Sequence, residues 1–170
     1  MKKSITLILS LAFVSFYATS QSLYKIGHIN TQELIELMPE TDSAQKKIDK
    51  LYKDLQQQLE LMQTELKVKY QDYINKKNTF SESVLELKET ELQDLNARIQ
   101  KFQTLAQDEV ENKRNDLYKP ILDKANAAIS AVAKENSFTY IFDASGGALL
   151  YKADNSIDIM PLVKQKLKLR

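Results

Sequence analysis

Few side chains in this sequence are suited to covalent or redox chemistry. There is no cysteine, which excludes disulfides, thiolate nucleophiles and cysteine metal ligands. His28 is the one histidine, and no carboxylate cluster stands near it in sequence, so a structural or surface imidazole is favoured over a metal ligand or general base. Gly146-Gly147 lacks the following lysine of a phosphate loop and the spacing of a dinucleotide fingerprint, and reads as turn geometry. Asp143 ends a β-prone run, a place where catalytic acids often lie, but it has no partner in sequence and reads as a cap on the turn. No nucleophile, base or metal set emerges, so the expectation is a non-enzyme that needs no cofactor.

What remains is non-covalent chemistry. Met62, Tyr70, Tyr73, Phe80 and Phe102 are soft or aromatic side chains of the kind that pack against irregular apolar partners. Met62 and Phe102 fall in register with the apolar pattern around them and are expected to fill a helix seam. Tyr70, Tyr73 and Phe80 lie where that pattern slips, and are the candidate contacts for a partner chain.

The elements that must position these residues run from about Asp42 to Asn136. Ile48, Tyr52, Leu55, Leu59, Met62 and Leu66 alternate spacings of four and three, the seam of a packed helix. Leu85, Leu92, Leu95, Ile99, Phe102 and Ala106 repeat that rhythm. Between the two halves, Asn75-Lys76-Lys77-Asn78 forms helix poorly, and Thr79 with Glu82 has the spacing of a capping box. The expectation is an antiparallel two-helix coiled-coil hairpin over residues 42–118, folding back near residue 79 and bringing Ile48 level with Val110. At about 1.5 Å per residue each arm is roughly 50 Å long, too long to wrap a small core, so the hairpin must project.

A small body is left for residues 21–41 and 119–170. Its expected parts are a strand at Tyr24 to Asn30, a short helix over Thr31 to Met38 capped by Asn30, and a β-hairpin of Phe138 to Asp143 with Ala148 to Tyr151 around the glycine turn. A terminal helix follows, with Asp158 as its cap and Pro161 in its first turn. Leu34, Ile35, Leu37 and Met38 from the short helix, and Leu162, Val163 and Leu167 from the last, are expected to face the body. Pro120 is expected to kink the return helix where the arm meets the body. The fold class is α+β. So few strands make no stable isolated sheet, and pairing with other subunits would remove their edges, which suggests an assembly joined through Ile26, Ile29, Phe138, Tyr140, Ile141, Phe142, Leu149 and Leu150.

Residues 1–20 read as a cleavable export signal: a basic Met1-Lys2-Lys3, an apolar Ile5 to Ala18, and small residues before Gln21. That apolar run is too short for a comfortable membrane span of about 20 residues, and no second apolar run follows. Removing the signal takes two lysines from the 24 basic and 23 acidic residues, leaving 22 and 23. That balance argues against a nucleic-acid partner.

Lys25-Ile26-Gly27-His28-Ile29-Asn30, Met38-Pro39-Glu40, Ile141-Phe142-Asp143-Ala144 through the glycines to Tyr151, and Ile157-Asp158-Ile159 with Val163-Lys164 resemble the Skp/OmpH family of periplasmic chaperones for outer-membrane proteins. The resemblance implies a soluble periplasmic homotrimer whose arms surround a cavity and hold unfolded outer-membrane proteins without ATP. It departs in charge, since the best-known relatives are strongly basic. The arms and signal alone also fit a cell-envelope scaffold or adaptor coiled coil with one fixed partner.

Overall fold

The computed structural model describes residues 24–169. The expected signal segment lies outside the described residues. In chain order the elements are strand β1 (Ile26–Ile29), helix α1 (Thr31–Leu37), helix α2 (Pro39–Lys76), a 3-10 turn (Lys77–Thr79), helix α3 (Glu82–Glu135), strand β2 (Tyr140–Asp143), strand β3 (Ile157–Asp158) and helix α4 (Met160–Leu167). The α+β class holds.

Local chemistry explains most boundaries. Asn30 is extended and its Oδ1 accepts the Glu33 amide at 3.1 Å, which starts α1 as its side chain was expected to do. Met38 leaves the helical region before Pro39, and Pro39 then opens α2 at a first-turn position where no amide hydrogen is needed. Asp158 Oδ1 accepts the Met160 amide at 2.8 Å at the entrance to α4, with Pro161 in the first turn. The Thr79–Glu82 capping box does not form. Thr79 Oγ1 donates instead to the Lys76 carbonyl at 2.7 Å, closing the 3-10 turn, and α3 starts behind Ser81.

The two long helices pack antiparallel. Lys69 reaches Glu91, Tyr73 reaches Glu89, Gln45 meets Tyr118 and Glu40 meets Lys124. These pairs centre the fold-back on residues 80 to 82, slightly beyond the expected 79, because the 3-10 turn and Phe80-Ser81 lengthen the connection. Ile48 therefore sits level with residues 112–116 and not with Val110. Pro120 lies inside α3, which runs as one helix through to Glu135. Beyond it, Ile121, Ala125, Ala128 and Val132 are buried at spacings of four and three.

The sheet corrects the expected β-hairpin. Its order is β2-β1-β3, and both pairings are parallel, Ile26 with Tyr140 and Gly27 with Ile157 leading the two registers. β1 occupies the inner side of β2, so the chain leaves β2, crosses over the sheet and joins the opposite edge. Residues 148–151 belong to this crossover and form no strand; Leu149 is half-buried, while Leu150 and Tyr151 are 95% and 80% exposed. Parallel neighbours require such a crossover, whereas a tight glycine turn would have made an antiparallel pair.

One face of the sheet closes the core. Ile29, Leu34, Met38, Val132, Ile159 and Val163 are buried within one cluster, with Phe138 and Ile141 packed against it. A Cβ on Gly27 would lie 2.9 Å from the Phe138 ring and 3.0 Å from Ile141 Cδ1, so glycine here permits a close approach. Lys25 ties the end of α3 to β1, its ammonium donating to the Asn136 carbonyl at 2.7 Å while lying 4.2 Å from the centre of the Phe138 ring. Leu37 and Leu162, expected to face the body, are partly exposed, because each sits one residue before a buried neighbour, Met38 and Val163, on its short helix.

Candidate functional site

Asp143 is the most strongly perturbed carboxylate, and its surroundings are structural. Oδ1 accepts from the Thr31 amide, the Ser145 amide and the Ser145 hydroxyl at 3.2, 2.9 and 2.8 Å, while Oδ2 accepts from the Thr31 hydroxyl at 2.6 Å. Partial burial pushes this carboxyl up, but the bonds from Thr31 and Ser145 outweigh it and hold it down at about 2. With its lone pairs so engaged, Asp143 pins β2 and the following turn to the start of α1. His28 is buried in β1. Its Nε2 lies 3.3 Å from Lys152 Nζ and its Nδ1 3.4 Å from Ser156 Oγ, so two residues around the crossover close over the ring. Among the described residues there is no group of three or more histidines and carboxylates placed to hold a metal ion.

Among the described residues, the outer face of the β1–β2 pair is apolar around Ile26, Tyr140 and Phe142 and lies exposed. Strand alternation puts Ile26 and His28 on this face beside their partners Tyr140 and Phe142. Tyr24, Tyr140 and Phe142 form a row with ring centres 6.5 and 6.3 Å apart. Tyr140 is 57% exposed, and Ile26 and Phe142 are nearly as open. This sorts the sequence-derived body candidates. Ile29, Phe138 and Ile141 serve the subunit's own core; Ile26, Tyr140, Phe142 and Leu150 are exposed; Leu149 is half-buried.

On the helical hairpin the structure brings Tyr70 and Tyr73 together. They line a groove beside Gln63, across from Glu89, Gln93 and Asn96. The Tyr73 hydroxyl donates to Glu89 Oε1 at 2.6 Å, and that bond raises its pKa above the usual tyrosine value. Phe80 lies apart from this groove, half-buried where the 3-10 turn ends. Nearer the body, on the same flank, a larger groove of about 730 Å³ lies between Tyr52, Gln56 and Leu59 on one side and Phe102, Gln103 and Gln107 on the other. Tyr52, assigned to the seam from its spacing, is 60% exposed. The small side chain of Ala106, which lines the same groove, is the sequence signal for a gap in the seam.

Sequence reasoning also missed Leu61, Val68, Leu87 and Leu105, which are all more than half exposed. Their positions outside the three-and-four rhythm mark them as apolar residues that the seam does not use. Charges along the hairpin are paired locally. Lys69 bonds Glu91, raising the lysine and lowering the glutamate, to which Lys88 also donates; Lys76 pairs with Asp72 on its own helix. At the base Lys124 holds Glu40 below the usual carboxylate range, across from α3 to α2.

Residues 25–167 match the model of a family described as outer membrane protein (OmpH-like). The chain is 26% identical over 151 residues to the chaperone protein Skp of Pectobacterium atrosepticum, covering 86% of this chain and 90% of that protein. Its fold is similar to the crystal structure of an OmpH-like outer membrane chaperone from Caulobacter crescentus CB15, with a TM-score of 0.71 and 18% identity over 87% of this chain and 86% of that one.

Proposed function

We propose that this chain, which belongs to the OmpH-like outer membrane protein family, is a chaperone that holds unfolded outer-membrane β-barrel proteins in the periplasm without ATP. The observation that carries this reading is a pair of long helices rooted in a small core, with grooves along both helices lined by Tyr52, Phe102, Tyr70 and Tyr73. Apolar surface of that kind, spread along two helices and not gathered into one socket, suits partners with no fixed shape. Tyr70, Tyr73 and Phe80 are the proposed client contacts. A urea-denatured outer-membrane barrel protein diluted into the purified protein without nucleotide should stay dispersed, as followed by light scattering. Aggregation at the same rate as in buffer would overturn the reading.

The working unit in this proposal is a homotrimer joined through the bodies. The outer sheet face supports it, since Ile26, Tyr140 and Phe142 form an apolar surface that the described residues leave open. Replacing Tyr140 and Phe142 together with Asp should leave a helical monomer in sedimentation, because it puts charges where apolar surfaces would meet. Ile141→Asp is a poorer probe, as Ile141 packs against the subunit's own core. A wild-type protein that sediments as a monomer would remove this part.

A further inference from the structure

The two grooves of the hairpin lie on one flank, and their linings share a composition. Tyr52 and Tyr70 are eighteen residues apart on α2, which is five helical turns, so the two rings stand in line on the same face. Beside them Gln56 and Gln63 on α2 face Gln103 and Gln93 on α3 across the grooves. Each groove also carries one cation and one carboxylate on that flank, Lys67 with Glu89 and Arg114 with Glu111, so the charges lining each groove balance. The aliphatic residues Leu61, Val68, Leu87 and Leu105 line neither groove. At about 100° per residue they stand roughly a third of a turn from the seam in the opposite sense, on the other flank of both helices.

Carboxamides donate and accept hydrogen bonds, as a peptide backbone does, and they discriminate little between client sequences. Tyrosine rings between them supply flat apolar contact with small entropic loss. A neutral groove fits an uncharged backbone better than a charged peptide. Length fits as well. Eighteen helical residues span about 27 Å, which an extended segment of about eight residues covers, close to the roughly nine to eleven of a membrane-spanning β-strand.

We propose that the tyrosine and carboxamide flank of α2 and α3 is a binding site for one extended, uncharged polypeptide segment, read through its backbone. This rests on the holdase reading and assigns the site to one flank of the arm. The test uses the full mature protein and a fluorescein-labelled ten-residue peptide alternating tyrosine and serine, with the same peptide N-methylated on every second amide as its control. Replacing Gln56, Gln63, Gln93 and Gln103 together with Met keeps side-chain length and apolar contact but removes the amides. Peptide affinity should fall at least tenfold, to that of the N-methylated peptide, with far-UV circular dichroism unchanged. Leu61→Ser with Val68→Ser and Leu87→Ser should change it less than twofold. The reverse pattern, loss with the serine variant and none with the methionine variant, would assign clients to the aliphatic flank and overturn the proposal. A change in oligomeric state of the methionine variant without loss of peptide affinity would overturn it in favour of a neighbouring copy. If wild type and methionine variant protect a urea-diluted barrel protein equally and bind the peptide equally, the groove assignment alone falls. If wild type gives no protection at all, the holdase reading falls and the site with it.

Discussion

The body and the arm are built from the same chain by opposite means. In the body, Leu34, Ile159 and Val163 are fully buried, contributed by elements far apart in sequence and locked by specific bonds such as those of Asp143 and Lys25. In the arm, between residues 50 and 119, only Leu95 and Ile99 among the described residues are buried; the rest of the seam is half-open and the ion pairs are partly or fully exposed. Exposed pairs contribute little, so the arm owes its form to helix propagation over many turns and a shallow seam. A rigid joint and a soft limb result. Under the proposed holdase reading, such softness suits a surface that must fit many partners.

The widest gap between the two regions should appear on cutting side chains back to alanine. Leu34→Ala removes a fully buried side chain and should cost about 2–5 kcal/mol, whereas Leu59→Ala in the half-open seam should cost about 1 kcal/mol. Equal losses in urea unfolding would show that the arm is packed as firmly as the body. Next in size is Gly27→Ala, which forces a methyl against Phe138, Ile141 and Ile159 and should cost about 1–3 kcal/mol. Native-state hydrogen exchange sharpens this: the variant should speed exchange in β1 and β2 and leave the arm tip unchanged.

Asp143 gives a smaller effect with a defined pH window. Its carboxyl is held at about 2 in the folded chain against an ordinary 3.8, so its contribution is full above the ordinary range and is lost as pH falls through about 2. Asp143→Asn should lower the melting temperature at neutral pH. The difference between the two proteins should shrink between pH 5 and pH 2, as followed by circular dichroism, and a constant difference would show that the charge is irrelevant. The smallest effect belongs to the arm. Residues 42–118 hold 13 basic and 15 acidic residues. Client affinity should therefore shift by less than about threefold between 50 and 500 mM salt, since long-range attraction is weak and screened within about 8 Å at physiological ionic strength. A steep loss in a salt titration would give local charge clusters a role that this balance hides.

Legibility followed the distance over which each feature is decided. Asn30 as a cap, Pro39 as a boundary and the seam from Ile48 to Leu66 depend on neighbours a few residues away, and each was readable from spacing. Thr79 and Glu82 have the right spacing for a cap, yet the tight 3-10 turn took Thr79 for its own carbonyl contact. The sheet order was not readable, because Ala148 to Tyr151 after two glycines looks like a returning strand, whereas the strand that completes the sheet is Ile157–Asp158, on the far side of β1. In the arm, the slipped seam singled out Tyr70, Tyr73 and Phe80, of which the structure sets the two tyrosines in one groove and Phe80 apart. Tyr52 was missed because its spacing fits a seam that Ala106 leaves unfilled.

The parallel sheet also dictates the order in which the molecule can be assembled. Thr31 beside β1 meets Asp143 of β2 across 112 positions of chain, and β3 lies further on still, so the first strand made has no partner until nearly the whole polypeptide is available. Closing so long a loop in an open chain is slow. The helical hairpin removes most of that search, since pairing α2 with α3 through near neighbours around the turn brings Glu40 against Lys124 and sets the two halves of the body side by side. The limb proposed to hold clients is thus also the splint on which its own core is closed.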